Sequence, residues 1–198
     1  EPNPVCVQYV NKLIKINQFI YTSVIPVALF EKTKLLKFYA VTEEASDATL
    51  IEDLRSDHHY LPSNFIPAFN FDDISTLLQI EEKKVIIKID VEGSELEVIQ
   101  GMYNYLQATK VNILCELLMA DNSTKSELVH SRCIALQELL SELGYEIYQI
   151  RKCENFKHFQ SVIKVDCFNE GIWGPQSSPA FCDYIFIHRL NSTVLLNS

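Results

Sequence analysis

Lys84-Val85-Ile86-Ile87-Lys88-Ile89-Asp90-Val91 runs directly into Glu92-Gly93-Ser94-Glu95, and the fold turns on how that junction is read. Up to Asp90 the stretch is almost continuously apolar, as a central parallel strand covered on both faces would be. Glu92-Gly93 then breaks the strand. Ser94, with Glu97 three positions later, has the spacing of a capping box at a helix start. Leu96, Ile99, Met102, Tyr103 and Leu106 recur with helical period and predict that helix's inward face. A strand entering a helix through an acidic, glycine-bearing turn belongs to open α/β sheets, whose ligands sit beyond the carboxyl ends of the strands.

The same pattern extends outward. Upstream, apolar residues at 5, 9, 10, 13, 14 and 16 predict a helix over residues 5–18 packed on a sheet. Ser23 to Leu29 reads as a buried strand, and LLKFYAV (35–41) as its hairpin partner across the polar turn Glu31 to Lys34. Residues 42–70 lose period and carry Pro62 and Pro67, which predicts a long loop of the kind used as a lid or binding segment. Asp72 to Gln79 reads as a short helix. Downstream, ILCELL (113–118) is a strand and Lys125 to Leu143 a helix stopped by Gly144. YEIYQI (145–150) and CDYIFIHR (182–189) are the last strands. The alternation predicts one three-layer α/β domain over residues 1–198, with 42–70 and 151–181 as substrate-side loops.

Composition narrows the function. With 198 residues, 47% of them hydrophobic, the chain can enclose a substantial core. A net charge of −9 without any basic run argues against a nucleic-acid partner. The six cysteines show no CxxC spacing, and Cys115 and Cys182 lie in strand-like runs where cysteine behaves as a small hydrophobe. That usage points to a reducing, cytoplasmic compartment. The sequons at Asn122 and Asn191 would matter only in a secreted chain. No apolar run reaches the roughly 18 residues of a membrane span. HExxH, P-loop and GxSxG patterns are absent, so no metal is required and no nucleophile elbow is expected.

Candidate chemistry gathers at the strand ends. Glu1 precedes the first helix, Asp90 and Glu92 follow the central strand, and Glu116 lies near the end of the next. A strand-end carboxylate can accept ribose hydroxyls, orient a substrate hydroxyl or remove its proton. Gly93 would let the backbone turn closely beside a ligand. A plainer reading stands beside this one: Lys88 shares a strand face with Asp90, and Lys88, Asp90 and Glu116 could form a structural ion-pair group. His58 and His59 beside Asp57 could supply a base or simply be exposed, and Trp173, Phe181 and Tyr184 could line an acceptor pocket or pack.

Lys88 to Glu95, continued by LEVIQG (96–101), closely resembles the signature of the FkbM-type methyltransferases. Glu1-Pro2-Asn3-Pro4 resembles that family's acidic cofactor turn, Ala28-Leu29-Phe30-Glu31 its adenine-flanking segment, and Phe71-Asp72-Asp73-Ile74 the entry to its short helix. Glu116 and Gly144-Tyr145 fall at matching stations, so the resemblance runs in order from residue 1 to about 150. It implies a Rossmann-like methyltransferase fold, mostly parallel with an antiparallel last strand. It also implies S-adenosylmethionine as cofactor and a hydroxyl on a small molecule, sugar or lipid-linked glycan as acceptor. On it, Glu1 and Asn3 would belong to the ribose-binding turn, Ala28 and Leu29 would border adenine, and Asp90, Glu92 and Gly93 would lie beside the methionine part. Asp90, Glu92 and Glu116 are the catalytic candidates, with Asp90 as base.

The resemblance is incomplete at its start. The family's domain begins with a strand and a glycine-rich turn, whereas the five glycines here stand at 93, 101, 144, 171 and 174. The expectation is that this N-terminal strand and turn are missing, and that this chain alone binds S-adenosylmethionine weakly or not at all. A non-catalytic scaffold or protein-interaction domain is the alternative reading. A nicotinamide-dependent oxidoreductase would also use an acidic ribose contact, but it lacks a Tyr/Lys or His arrangement here.

Overall fold

The computed structural model describes residues 1–43, 48–52, 54, 64–78, 80, 85–117, 126–153, 158–168 and 182–191. Helix α1 spans Pro4–Asn17 and is followed by β1 (Ala28–Leu29), β2 (Lys34–Phe38), β3 (Asn64–Phe69) and α2 (Phe71–Leu77). Then come β4 (Ile86–Ile89), α3 (Glu95–Gln100), α4 (Tyr103–Thr109), β5 (Asn112–Glu116), α5 (Ser126–Glu142), β6 (Tyr145–Lys152), β7 (Phe159–Val165) and β8 (Asp183–His188). Among the described residues the fold is mixed α/β with two sheets: β1-β3-β2, and β4-β5-β8-β6-β7.

The larger sheet is not mostly parallel. Among the described residues, only β4 and β5 of this sheet pair in parallel; β8 runs antiparallel to both β5 and β6, and β7 antiparallel to β6. β8 inserts between two strands that point the same way and runs against them, so both of its ladders are antiparallel. The connection from Lys152 to Phe159 is short enough for a hairpin, which makes β7 antiparallel as well. β7 lies inside the stretch expected to be loop. Residues 169–181, with Trp173 and Phe181, lie outside the described residues.

Helices α3, α4 and α5 enclose the core on this sheet. Ile113, Cys115, Tyr184 and Phe186 from the strands meet Val98, Ile99, Met102, Leu106, Leu136 and Leu140 from the helices, all essentially inaccessible. The inward residues expected from the helical period are found there, but on two short helices broken at Gly101-Met102. Tyr184 is wholly core, making an edge contact with Phe168. Burial pushes the thiols of Cys133 and Cys182 up to about 12 and about 11, so both are neutral apolar fillers. No disulfide forms among the described cysteines. No helix among the described residues is long and apolar enough to cross a membrane.

Several upstream expectations fail. β3 arises from the end of the 42–70 stretch and is the middle strand of its sheet, pairing in parallel with β1 and antiparallel with β2. Pro67 within β3 is what argued against a strand, since proline cannot donate to a ladder. The antiparallel partner of β2 is therefore β3, and only Ala28–Leu29 of the expected strand over 23–29 is extended in a ladder. α1 forms where the period places it, capped by the Asn3 side chain on Val5 N–H, yet none of its residues is buried. Tyr9 and Ile16 are 65% and 64% exposed, so α1 is not packed on a sheet as anticipated. β4 is an edge strand among the described residues, with Ile86 80% exposed, rather than a central one.

Gly101 joins the two halves. An added Cβ would stand 2.2 Å from the backbone oxygen of Phe30, and Gly101 C=O accepts a hydrogen bond from Asp72 N–H at 3.0 Å. The Asp72 carboxylate then accepts from the N–H groups of Asn104 and Tyr105 at the start of α4. Because the obstacle is main chain, Gly101→Ala must displace one element from the other. We expect a loss of about 1–3 kcal/mol or more, as in overpacked cores, read from urea unfolding. An unchanged midpoint would mean that the junction relaxes freely.

Candidate functional site

The carboxyl end of β4 opens into a cleft of about 280 Å³ between the two sheets. Its walls include Glu1, Ala28, Leu29, Asp90 and Glu92, drawn from three separate parts of the chain. Val27, Phe38 and Leu50 supply apolar surface. The volume approaches the lower end of the ~300–1,000 Å³ typical of small-molecule sites. Ala48 and Leu50, which also line it, carried no legible signal, because the 42–70 stretch lacks the period that would have oriented them.

Each acidic group has a defined setting. Glu1 Oε1 accepts from Asn3 N–H at 2.7 Å, which leaves its second oxygen for other donors. Asn3 itself is buried, accepting from Val5 N–H and donating to Glu43 C=O, so it builds the turn and does not line the cleft. Asp90 is 38% exposed at its side chain and forms an ion pair with Lys88 at 2.5 Å. That contact holds the Lys88 ammonium above its ordinary pKa, chiefly through the hydrogen bond to Asp90. The ion-pair reading of Asp90 is thus realised in part.

Glu116 is not brought to the cleft. It stands opposite Asp183 in the β5–β8 ladder, and its carboxylate accepts from Cys182 Sγ at 3.8 Å. Asp183 is in turn ion-paired with Lys152. His58, His59 and Asp57 lie outside the described residues.

The turn after Asp90 has an unusual backbone. Glu92 and Gly93 both have positive φ, 52° and 102°. Gly93 suits that region, whereas Glu92 is strained there. Gly93 N–H donates to Glu95 Oε1 at 2.9 Å, and Gly93 C=O accepts from Arg132 Nη2 at 3.0 Å. Arg132, on α5, is also ion-paired with Glu97 on α3. The capping box expected at Ser94 does not form: Ser94 makes no side-chain cap bond, and Glu97 is engaged by Arg132. Glu95 is 6% exposed, and its carboxyl is pushed up to about 7, first by burial. Beside it lies a void of about 20 Å³, room for one water. Sequence reasoning passed over Glu95 and Arg132; a further acid two residues beyond the turn glycine was the available signal.

Fold and site together define a mixed α/β domain with an acidic and apolar cleft at its strand ends. The profile of the Methyltransferase FkbM domain matches residues 1–147, and the chain belongs to that family. Methyl transfer in general is the activity that membership assigns, with S-adenosylmethionine the family's usual donor. No curated protein and no solved structure matches the chain.

Proposed function

We propose that this protein transfers a methyl group from S-adenosylmethionine to a hydroxyl oxygen of a small molecule, sugar or lipid-linked glycan. The observation that carries the reading is the convergence of Glu1, Ala28-Leu29, Asp90 and Glu92 on one cleft. The wall chemistry fits the cofactor: carboxylates suit ribose hydroxyls and cationic groups, and Val27, Leu29 and Phe38 suit a flat heterocycle. Glu1 would hold ribose, Ala28 and Leu29 would border adenine, and Glu92 would face the methionine part. S-adenosylmethionine supplies a methyl group already activated on sulfonium, so the chain's own work is alignment and exclusion of water. Asp90 orients the acceptor hydroxyl and receives its proton.

One observation favours a second reading. Lys88 already engages the Asp90 carboxylate, as it would in a non-catalytic, methyltransferase-like interaction domain. Full-length protein incubated with methyl-labelled S-adenosylmethionine and a panel of glycans and lipid extracts separates the two. Label should appear on an oxygen of one acceptor class. Cofactor binding without transfer to any member of the panel would favour the interaction domain.

A further inference from the structure

We propose that Glu95 and Arg132 are positioning residues, which clamp the backbone of Gly93 and so set the direction in which Asp90 and Glu92 enter the cleft. The inference rests on the cofactor reading above. Neither residue lines the cleft; both line the small void on the other side of the turn, so they act through the turn and not on a ligand. A non-glycine residue at positive φ persists only where its surroundings over-determine it. At the Glu92-Gly93 turn they do. Both main-chain polar groups of Gly93 are taken by side chains, one from α3 and one from α5. The Arg132–Glu97 pair ties those two helices to each other. The α3–α5 packing therefore reaches the cleft through a single glycine. Without the clamp, the turn can relax toward ordinary backbone angles, and Asp90 and Glu92 swing with it.

The role is geometric, so an acceptor oxygen matters more than a charge. Glutamine at 95 presents an amide oxygen to Gly93 N–H, whereas leucine removes the acceptor and leaves that N–H orphaned. The experiment is calorimetric titration of full-length protein with S-adenosylmethionine, with melting temperature and near-ultraviolet circular dichroism as fold controls. Glu95→Leu should weaken binding roughly ten- to hundredfold while remaining folded, and Glu95→Gln should restore it. Arg132→Met, which keeps the apolar stem but loses the bond to Gly93 C=O, should weaken binding in the same direction and carries the test if Glu95→Leu does not fold. Wild-type affinity in either folded variant overturns the clamp while the cofactor reading stands. Loss of binding in Glu95→Gln equal to that in Glu95→Leu also overturns it, since charge would then be the cause. Wild-type protein that does not bind S-adenosylmethionine removes the cofactor reading, and the clamp's purpose with it.

Discussion

Asp90→Asn is expected to lower methyl transfer by roughly 10²–10⁴-fold, the usual range for loss of a general base, with almost no change in stability. The two readings of Asp90 differ in this respect. Asp90 and Lys88 are 38% and 54% exposed at their side chains, and exposed ion pairs are worth about 0–1 kcal/mol. If the pair is the whole purpose of Asp90, asparagine costs little in either measurement, because its amide oxygen can still accept from the lysine. If Asp90 receives the acceptor's proton, asparagine cannot do so, and turnover collapses in a folded protein. The measurement is kcat with labelled S-adenosylmethionine, set beside the urea midpoint of the same preparation. Turnover within a fewfold of wild type would leave Asp90 as a surface ion pair and move the search for a base to Glu92.

Lys88→Met provides the complementary arm. Removing the ammonium frees Asp90 from its partner, so a base held back by pairing should not become weaker. A large loss of turnover on Lys88→Met would instead mean that the pair aims the carboxylate, as the fixed 2.5 Å contact allows.

The parts of the site that were legible in sequence are those where pattern and chemistry coincide. At 86–100 an apolar run, a glycine and a helical period follow one another, and β4, its acidic turn and α3 form there. Gly144 stops α5 at positive φ, 81°, as a helix-terminating glycine should. Other features depend on contacts between distant parts of the chain. The period of α1 shows which face is apolar but not what covers it, and none of its residues is buried. β3 was hidden by Pro67, since strand propensity counts for less than the partners a strand finds on either side. Glu116 was grouped with Asp90 because both end strands, yet its carboxylate is directed toward Cys182, the residue just before β8. That direction depends on β8 lying beside β5, a pairing of residues about 70 positions apart, which no local pattern encodes. The Gly93 clamp was invisible for the same reason: Arg132 arrives from a different helix, 39 residues away.

Glu95→Gln should stabilise the protein at neutral and alkaline pH, and the gain should disappear in acid. The Glu95 carboxyl is held at about 7 in the folded protein against an ordinary value of 4.5, because burial penalises its charge. The hydrogen bond from Gly93 N–H and the field of Arg132 oppose that rise, while Glu92 adds to it. The neighbouring thiols of Cys115 and Cys133 are themselves pushed up by burial and carry no charge in this range. Below pH 4.5 the group is protonated in both folded and unfolded chains and contributes no pH dependence. Between pH 4.5 and 7 the unfolded chain releases its proton while the folded protein keeps it, so stability falls as pH rises. Above 7 the buried carboxylate is ionised and the full penalty is present, about 3 kcal/mol for a displacement from 4.5 to about 7 at ~1.4 kcal/mol per pH unit. Glutamine has no such titration. Other carboxylates bend the curve the opposite way, as Glu146 does with its value lowered by Lys164. The informative quantity is therefore the difference between the urea-unfolding curves of wild type and variant. That difference should rise from pH 4.5 to a plateau above 7; a flat difference would mean that the Glu95 carboxylate is solvated, with water in the adjoining void as the first place to look.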